Sequence, residues 1–249
     1  MSGKVKRRRF VGLCGTAALT TVANPALLAA AAAEGGKVRF YERSRLVDAK
    51  GEPISESRIE RGRSHIFHYP YASTPCFLLK LDRPAPESID LVTEDGTPYR
   101  WPGGVGKDRS VVAFAAICAH RMSHPARDVS FIDYRPEALH FVDRRGTSRE
   151  EKGLIFCCSE RSVYDPAGGA RVLSGPARQP LTAIVLAVDP RSGALEAQGT
   201  VGGEMYDEFF ERFGFRLAME HAGKDIKRPV GATSTVIDIE RYSRVRMRC

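Results

Sequence analysis

The sequence predicts an all-β protein, a sandwich or barrel of short antiparallel strands with one helix near its C-terminal end. Three observations predict it. Short apolar runs recur along the 249 residues, each about four to eight residues long. The stretches between them are rich in Gly, Pro and Asp, in a chain with 23 glycines and 15 prolines, and these residues supply tight turns. One late stretch alone shows helical spacing of its apolar residues. Hydrophobic residues make up 43% and charged residues 27%, a balance that supports a buried core in one large or two small domains.

Taken in order, the chain begins with "KVKRRRFVGLCGTAALTTVANPALLAAAAAE", which holds five basic residues and no acid before Glu34. A charged start followed by an apolar, Ala-rich run is the layout of an export signal. Arg7-Arg8-Arg9-Phe10-Val11 fits the twin-arginine signature. Residues 1–33 are therefore read as a twin-arginine signal and residues 34–249 as the exported domain, placing the protein in the periplasm. Asn24 and Pro25 interrupt the apolar run and make it a poor spanning helix. An uncleaved N-terminal anchor is the alternative, and the only way in which the membrane would be a partner. Cys14 follows Leu13, whereas a lipid-bearing cysteine wants a small residue before it. The twin-arginine route carries folded proteins, often with a cofactor already inserted, so this address points to a metal or organic cofactor.

The net charge of +8 shrinks to +3 over residues 34–249, with 33 basic against 30 acidic residues. No basic run interleaved with aromatics remains, which argues against nucleic acid as a partner. "SHIFHYP", "CFLLKL", "SVVAFAAICAH", "ALHFVD", "GLIFCC", "LTAIVLAVD" and "LEAQGTVG" read as strands. "DRPAPES", "EDGTP", "WPGGVGKD", "DPAGG" and "DPRSG" read as the turns between them. "MYDEFFERFGFRLAMEHAG" sets Phe209, Phe213, Leu217 and His221 at helical spacing, and Gly223 is placed to end that helix. "TSTVIDIERYSRVRM" returns to strand composition. Trp101 reads as core or a turn plug. His65 and His68 are three residues apart on one strand, so they face opposite sides and form no pair.

Six cysteines stand at positions 14, 76, 118, 157, 158 and 249. The five beyond the signal do not read as a disulfide scaffold. Cys157 and Cys158 are adjacent and unsuited to pair with each other, and Cys158 has no evident partner. Cys76 reads as a buried strand cysteine, and Cys249 as free or paired.

Two strand ends carry the chemistry. "VVAFAAICAH" ends in Cys118-Ala119-His120, and 39 residues further on "GLIFCCSE" ends in Cys157-Cys158-Ser159-Glu160. A thiolate and an imidazole two residues apart on one loop can both turn towards a metal.

This layout resembles the Rieske iron–sulfur proteins, in which one loop supplies C-x-H and a second supplies C-x-x-H. The resemblance implies a [2Fe–2S] cluster with cysteines on one iron and histidines on the other. It implies that Cys118, His120 and Cys157 are ligands, with Glu160 in the place of the second histidine. Ser162, Tyr164 and Asp165 match the S-x-Y-D that follows the second box in high-potential members, where the two hydroxyls donate hydrogen bonds to cluster and cysteine sulfur. "SGPA", Ser174 to Ala177, matches the loop that covers the cluster, with Pro176 in the covering position. The matching pieces span about 115–180, roughly a quarter of the chain. The implied fold is a Rieske-type β-sandwich or barrel with a small cluster-binding subdomain. "HYPYASTPCFLLKL" and the D-P-x-x-G-G of Asp165, Pro166, Gly168 and Gly169 are similar to the small Rieske subunit of arsenite oxidase. That likeness implies no catalysis by this chain alone. It implies an exported electron-transfer subunit between a periplasmic, molybdopterin-type oxidoreductase and a c-type cytochrome or similar acceptor.

Three departures stand out. Glu160 replaces an imidazole with a harder ligand, which adds negative charge. It is expected to lower the cluster's potential and to remove one of the two imidazole protons that make such potentials pH-dependent. The disulfide that joins the two loops in cytochrome bc-type members is absent, its positions matching Ser123 and Ser159. The boxes stand about twice as far apart as usual, and the excess, "SFIDYRPEALHFVDRRGTSREEKG", holds an extra hairpin with a solvated, charged turn. Glu160 as ligand ranks ahead of a substitute such as His124, His140 or Cys158. His124 is expected to point away, and Cys158 would spoil the register of Ser162 and Tyr164. An empty site ranks third, leaving a docking subunit with a Rieske fold. A Rieske oxygenase needs a further mononuclear iron site, and only His221 follows the second box. A zinc ribbon wants two paired-cysteine knuckles, and one box alone offers two cysteines.

Overall fold

A computed structural model of the chain describes residues 38–223 and 225–249. The signal expected over residues 1–33 lies outside them. The chain is all-β apart from one long helix, Tyr206–Glu220, and one-turn pieces. In order, the strands used below are β1 (Val38–Val47), β2 (Ser64–His68), β3 (Pro75–Lys80), β4 (Ile89–Val92), β5 (Pro98–Trp101), β6 (Val111–Ala115), β7 (Val129–Ser130) and β8 (Ile132–Arg135). They continue with β9 (Leu139–Val142), β10 (Ser148–Glu151), β11 (Leu154–Cys157), β12 (Ser162–Asp165), β13 (Arg171–Ser174), β14 (Ala183–Val188), β15 (Leu195–Val201), β16 (Thr233–Thr235), β17 (Ile237–Asp238) and β18 (Val245–Arg246).

Eight strands form the main sheet in the order β16-β1-β15-β14-β6-β3-β2-β17. Its two edge strands are consecutive in the chain. Thr233–Thr235 pairs with β1, and two residues later Ile237–Asp238 pairs with β2. One short segment thus bridges both edges and nearly closes the sheet on itself, which leaves few unpaired backbone groups. The predicted antiparallel pattern holds for most pairs, but β1 with β16 and β18 with β7 run parallel. Both exceptions fall in the C-terminal segment, which follows the long helix in the chain. The strand composition expected after residue 232 resolves into β16, β17, a single helical turn at Ile239–Tyr242 and β18.

The predicted apolar runs all contain strands, and four regions add strands that were not anticipated, among them β7 and β8 ahead of the extra hairpin. β1 carries Arg39, Glu42, Arg43 and Arg45 on exposed positions, and a bulge between Phe40 and Ser44 breaks its alternation. β4 and β5 form a small hairpin among the turn-rich residues. β12 and β13 pair beyond the second box.

A second sheet of four strands, in the order β13-β12-β11-β8, lies against the main one. Ile132, Tyr134, Ile155 and Tyr164 from the small sheet share a core with Phe77, Phe114 and Trp101 from the main region. Trp101 is buried there against the Gly169 turn. Gly169 has φ of 71°, and a Cβ on it would come within 2.7 Å of Leu91 and 3.0 Å of the indole, so only glycine fits. The hairpin β9–β10 fills part of the long excess between the boxes. Its Leu139 and Phe141 pack on Leu154, Phe156 and Val163, the outer face of the small sheet. The helix buries Tyr206, Phe209, Phe210 and Leu217 against Ala115, Ile117 and Met122. It ends as its sequence predicts. Gly223 takes φ of 72° and its N–H reaches back to the Ala218 carbonyl at 2.7 Å.

Candidate metal centre

The first loop leaves β6 earlier than expected. The strand ends at Ala115, and Cys118 lies three residues beyond it. The turn is closed by the Cys118 N–H to the Ser123 carbonyl and the Met122 N–H to the Cys118 carbonyl, both at 2.9 Å. Met122 adopts φ of 59°, and its side chain is buried under the helix. His124 turns away from the loop's concave side. Its Nδ1 bonds the Met122 carbonyl at 2.9 Å, and its ring meets Phe209 and Phe213 edge-on.

The second loop is the turn of the β11–β12 hairpin, where Cys157 pairs with Ser162 across the ladder. It brings Cys157 against Cys118. Both thiols are fully buried and hydrogen-bonded to one another. Cys118 also accepts from the His120 N–H and the Ser162 hydroxyl, and the Tyr164 hydroxyl lies 3.2 Å from its sulfur. The same hydroxyl accepts from the Ala119 N–H at 3.0 Å, which turns its proton towards the sulfur. Cys157 accepts from the Ser159 and Glu160 N–H groups. The hydrogen bond from Cys157, with those from Tyr164, His120 and Ser162, lowers the Cys118 thiol to about 7 against the cost of burial. Cys157 is pushed up, first because it donates to Cys118 and then by burial and by the neighbouring charge. The pair is an electron-rich sulfur site surrounded by donors, which is what a metal-bound thiolate needs.

Beside this pair stands a second pair of donors. His120 Nδ1 is buried and makes no hydrogen bond, and Glu160 Oε2 lies 3.5 Å from it. The other carboxylate oxygen, Oε1, faces Arg121 Nε at 3.3 Å. Glu160 thus divides its oxygens between an arginine on the solvent side and an orphaned imidazole nitrogen inside. Among the described residues no three His, Cys, Asp or Glu side chains are gathered tightly enough to hold one ion. The donors come as two pairs, sulfur with sulfur and imidazole with carboxylate. That set suits two metal ions with two protein ligands each, as in a two-iron cluster, and does not suit a structural zinc site. The buried thiols, the orphaned Nδ1 and the free inner oxygen of Glu160 together fit the group implied by the sequence motifs.

Around the pairs, Ser174–Ala177 crosses the second loop. The Ala177 N–H bonds Ser162 Oγ at 3.2 Å. Gly175 has φ of 85°, and a Cβ on it would meet the Arg161 carbonyl and the Ser162 Cα at 2.6 Å, so the crossing requires glycine. Pro176 is exposed at the crest of this loop. The extra hairpin is more than a solvated turn. Arg144 bonds the Leu173 carbonyl through its N–H and the Ala177 carbonyl through its guanidinium, so the hairpin holds the crossing loop from outside. Ser123 Oγ and Ser159 Oγ lie 2.9 Å apart, a hydrogen bond where a disulfide would otherwise sit.

Cys158 and Cys249, one without an apparent partner and the other left open by the sequence, form a disulfide across 91 residues. The C-terminal segment reaches Cys158 by pairing β18 with β7. It is held there by Arg246 on the buried Asp133 at 3.0 Å and by Arg135 on the Met247 carbonyl at 2.7 Å. The signal available in the sequence was a lone terminal cysteine beside an adjacent pair, which names no partner. Cys76 is free and buried, with its thiol on the Tyr69 carbonyl. His140 lies on the exposed β9–β10 hairpin facing Glu150 at 3.5 Å, apart from the donor pairs.

No family model matches the chain. Among solved structures, the soluble domain of Rieske protein II (soxF) from Sulfolobus acidocaldarius is similar to it. The two are 26% identical over 64% of this chain and 78% of that one, with a TM-score of 0.41.

Proposed function

We propose that the chain is an electron-transfer protein that holds a Rieske-type [2Fe–2S] cluster between its two loops and does no bond chemistry of its own. The observation that carries this reading is the pairing of donors: Cys118 with Cys157, and His120 with Glu160, each pair drawn from both loops. Cys118 and Cys157 would hold one iron, and His120 Nδ1 with Glu160 Oε2 the other. When bound, the cluster supplies a one-electron carrier.

The chain's own residues define what surrounds that carrier. The amides of His120, Ser159 and Glu160 and the hydroxyls of Tyr164 and Ser162 point at the two sulfurs and favour their anionic form. Burial of both cysteines keeps water from the sulfur side. His120 and Glu160 are partly exposed, with side chains 25% and 22% accessible, so the imidazole–carboxylate side is the one nearest the surface. Electrons pass most readily where the carrier approaches the surface, and this edge is the contact point for a partner. The address read from residues 1–33 puts that partner in the periplasm, with a molybdopterin-type oxidoreductase as donor and a c-type cytochrome as acceptor. Among the described residues no helix is long and apolar enough to cross a membrane.

Iron and acid-labile sulfide measured on anaerobically purified protein, with an EPR spectrum after dithionite reduction, test the reading. Equal iron and sulfide with a reduced-cluster signal support it, and Glu160→His then raises the reduction potential by removing a negative ligand. Protein from a cluster-competent host with neither iron nor signal makes this a docking subunit with an unused site.

A further inference from the structure

Each of the three loops that meet at the site carries an arginine directly after its key residue. Arg121 follows His120, Arg161 follows Glu160, and Arg178 follows Ala177. All three are exposed, Arg121 and Arg178 with 64% and 69% of their side chains accessible. The loops are joined at their bases. The Ser123 and Ser159 hydroxyls link the first to the second, the Arg178 N–H faces the Ala119 carbonyl at 3.5 Å, and Gly175 lies against the Arg161 carbonyl. The three arginine-bearing loops therefore meet at one tip of the molecule, beside the donor pairs.

Arg161 is the most telling of them. It holds φ of 56°, a left-handed conformation that is unfavourable for a non-glycine residue. Its guanidinium has no hydrogen-bond or ion-pair partner among the described residues. A loop that needed only the turn would use Gly or Asn there. Opposing charge at this tip is sparse. Glu160 Oε1 faces Arg121 Nε at 3.3 Å, while 64% of the Arg121 side chain stays accessible, and Glu94 pairs with Arg178 at 2.6 Å. Three cations thus stand against two carboxylates, Glu160 on Arg121 and Glu94 on Arg178, which leaves the tip net positive.

We propose that this arginine rim is a docking surface for an acidic redox protein, one that presents carboxylates around its own electron-transfer centre. The proposal rests on the electron-transfer reading above and names the kind of partner that reading requires. Charges at the edge of a contact act mainly on the rate of encounter, and a complementary pair gains from steering at low salt. A rim of guanidiniums around the exposed imidazole–carboxylate edge would orient the partner with its centre over that edge.

Stopped-flow electron exchange tests it. The reduced full-length protein is mixed with two small c-type cytochromes of similar potential, one of net negative and one of net positive charge. The acidic cytochrome is expected to react at least about tenfold faster at low ionic strength, and to lose most of that advantage by about 200 mM salt. Arg161→Asp should slow it about fivefold and Arg161→Asn less. Both residues tolerate the left-handed region, so the loop is kept. Arg191→Asp, in the turn at the far end of β14, should leave the rate unchanged. Equal rates for the two cytochromes, a faster basic one, or an Arg191→Asp effect equal to that of Arg161→Asp would overturn the proposal. Iron and sulfide are measured on the same preparation. If no cluster is present the electron-transfer reading fails, and the rim is tested apart by a 15N NMR titration with the acidic cytochrome. Shifts gathered at residues 119–123, 159–163 and 175–178 would keep it as a docking surface, and scattered or absent shifts would remove it.

Discussion

The two loops that supply the donors lie side by side but are secured by different means. The first is backed by a large apolar body: Met122 sits under the helix, His124 is wedged between Phe209 and Phe213, and two backbone hydrogen bonds close the turn. The second stands on a thin four-stranded sheet and is anchored by the C-terminal segment through the Cys158–Cys249 disulfide, and by the Cys158 N–H on the Phe131 carbonyl, between β7 and β8, at 2.6 Å. The contrast teaches that a loop next to a deep core can be held by burial. A loop at the edge of a small sheet needs a covalent tie, because the area available to bury is too small to fix it.

The strongest break of the comparison treats both loops alike. Cys118→Ser and Cys157→Ser are each expected to abolish iron binding, since each removes one of the two thiolates. Iron retained by either variant would show that the loops do not share the site. The disulfide separates them. Cys249→Ser is expected to lower the unfolding free energy by about 2–4 kcal/mol in urea titration. Loss of amide protection should be confined to residues 156–162 and 243–248. Equal loss at residues 116–124 would erase the distinction drawn here.

An effect of similar size comes from the body that backs the first loop. His68 is enclosed by His221, Tyr242 and the charge of Arg127, and burial, then the neighbouring cations, lower its imidazole to about 4. The folded state holds His68 neutral while the unfolded chain takes up a proton near pH 6.5. Its contribution is therefore full above about pH 6.5 and is lost as pH falls towards 4, on the order of 3 kcal/mol. Denaturant unfolding between pH 7.5 and 4.5 should show this acid loss, and His68→Gln should flatten it. An unchanged slope would place the acid sensitivity elsewhere. The smallest expected effect lies at the seam between the loops. Ser159→Ala removes the exposed hydroxyl pair with Ser123 and should cost less than about 1 kcal/mol. A loss larger than that of Cys249→Ser would mean that the seam, and not the C-terminal tie, holds the second loop.

Much of the barrel was legible because strand and turn are local properties. Runs such as "CFLLKL", apart from the half-buried Lys80, and "SVVAFA" are buried, so they read as apolar whatever their neighbours. β1 was not legible, because its outward charges and its bulge hide the period of two. Helix and end were legible together, since Phe209 and Leu217 mark one face and Gly223 the stop. At the site, the resemblance carried by the two boxes and the residues after them implied Cys118, His120, Cys157, Glu160, Ser162, Tyr164 and Pro176. The spacing did not reveal that Arg121 shares Glu160, or that Arg144 reaches the Ala177 carbonyl from the extra hairpin.

By itself the sequence determined the strands and turns that follow from short-range pattern, the single long helix, and the two boxes that follow apolar runs. Tertiary structure alone decided that residues 233–238 bridge both edges of the main sheet, that Cys158 meets Cys249, and that the loops bearing Arg121, Arg161 and Arg178 meet. The physical reason is range. Periodicity and turn chemistry act between residues a few positions apart, where the chain itself fixes the geometry. A partner 91 residues away is chosen by how whole sheets pack and where the last strand is led.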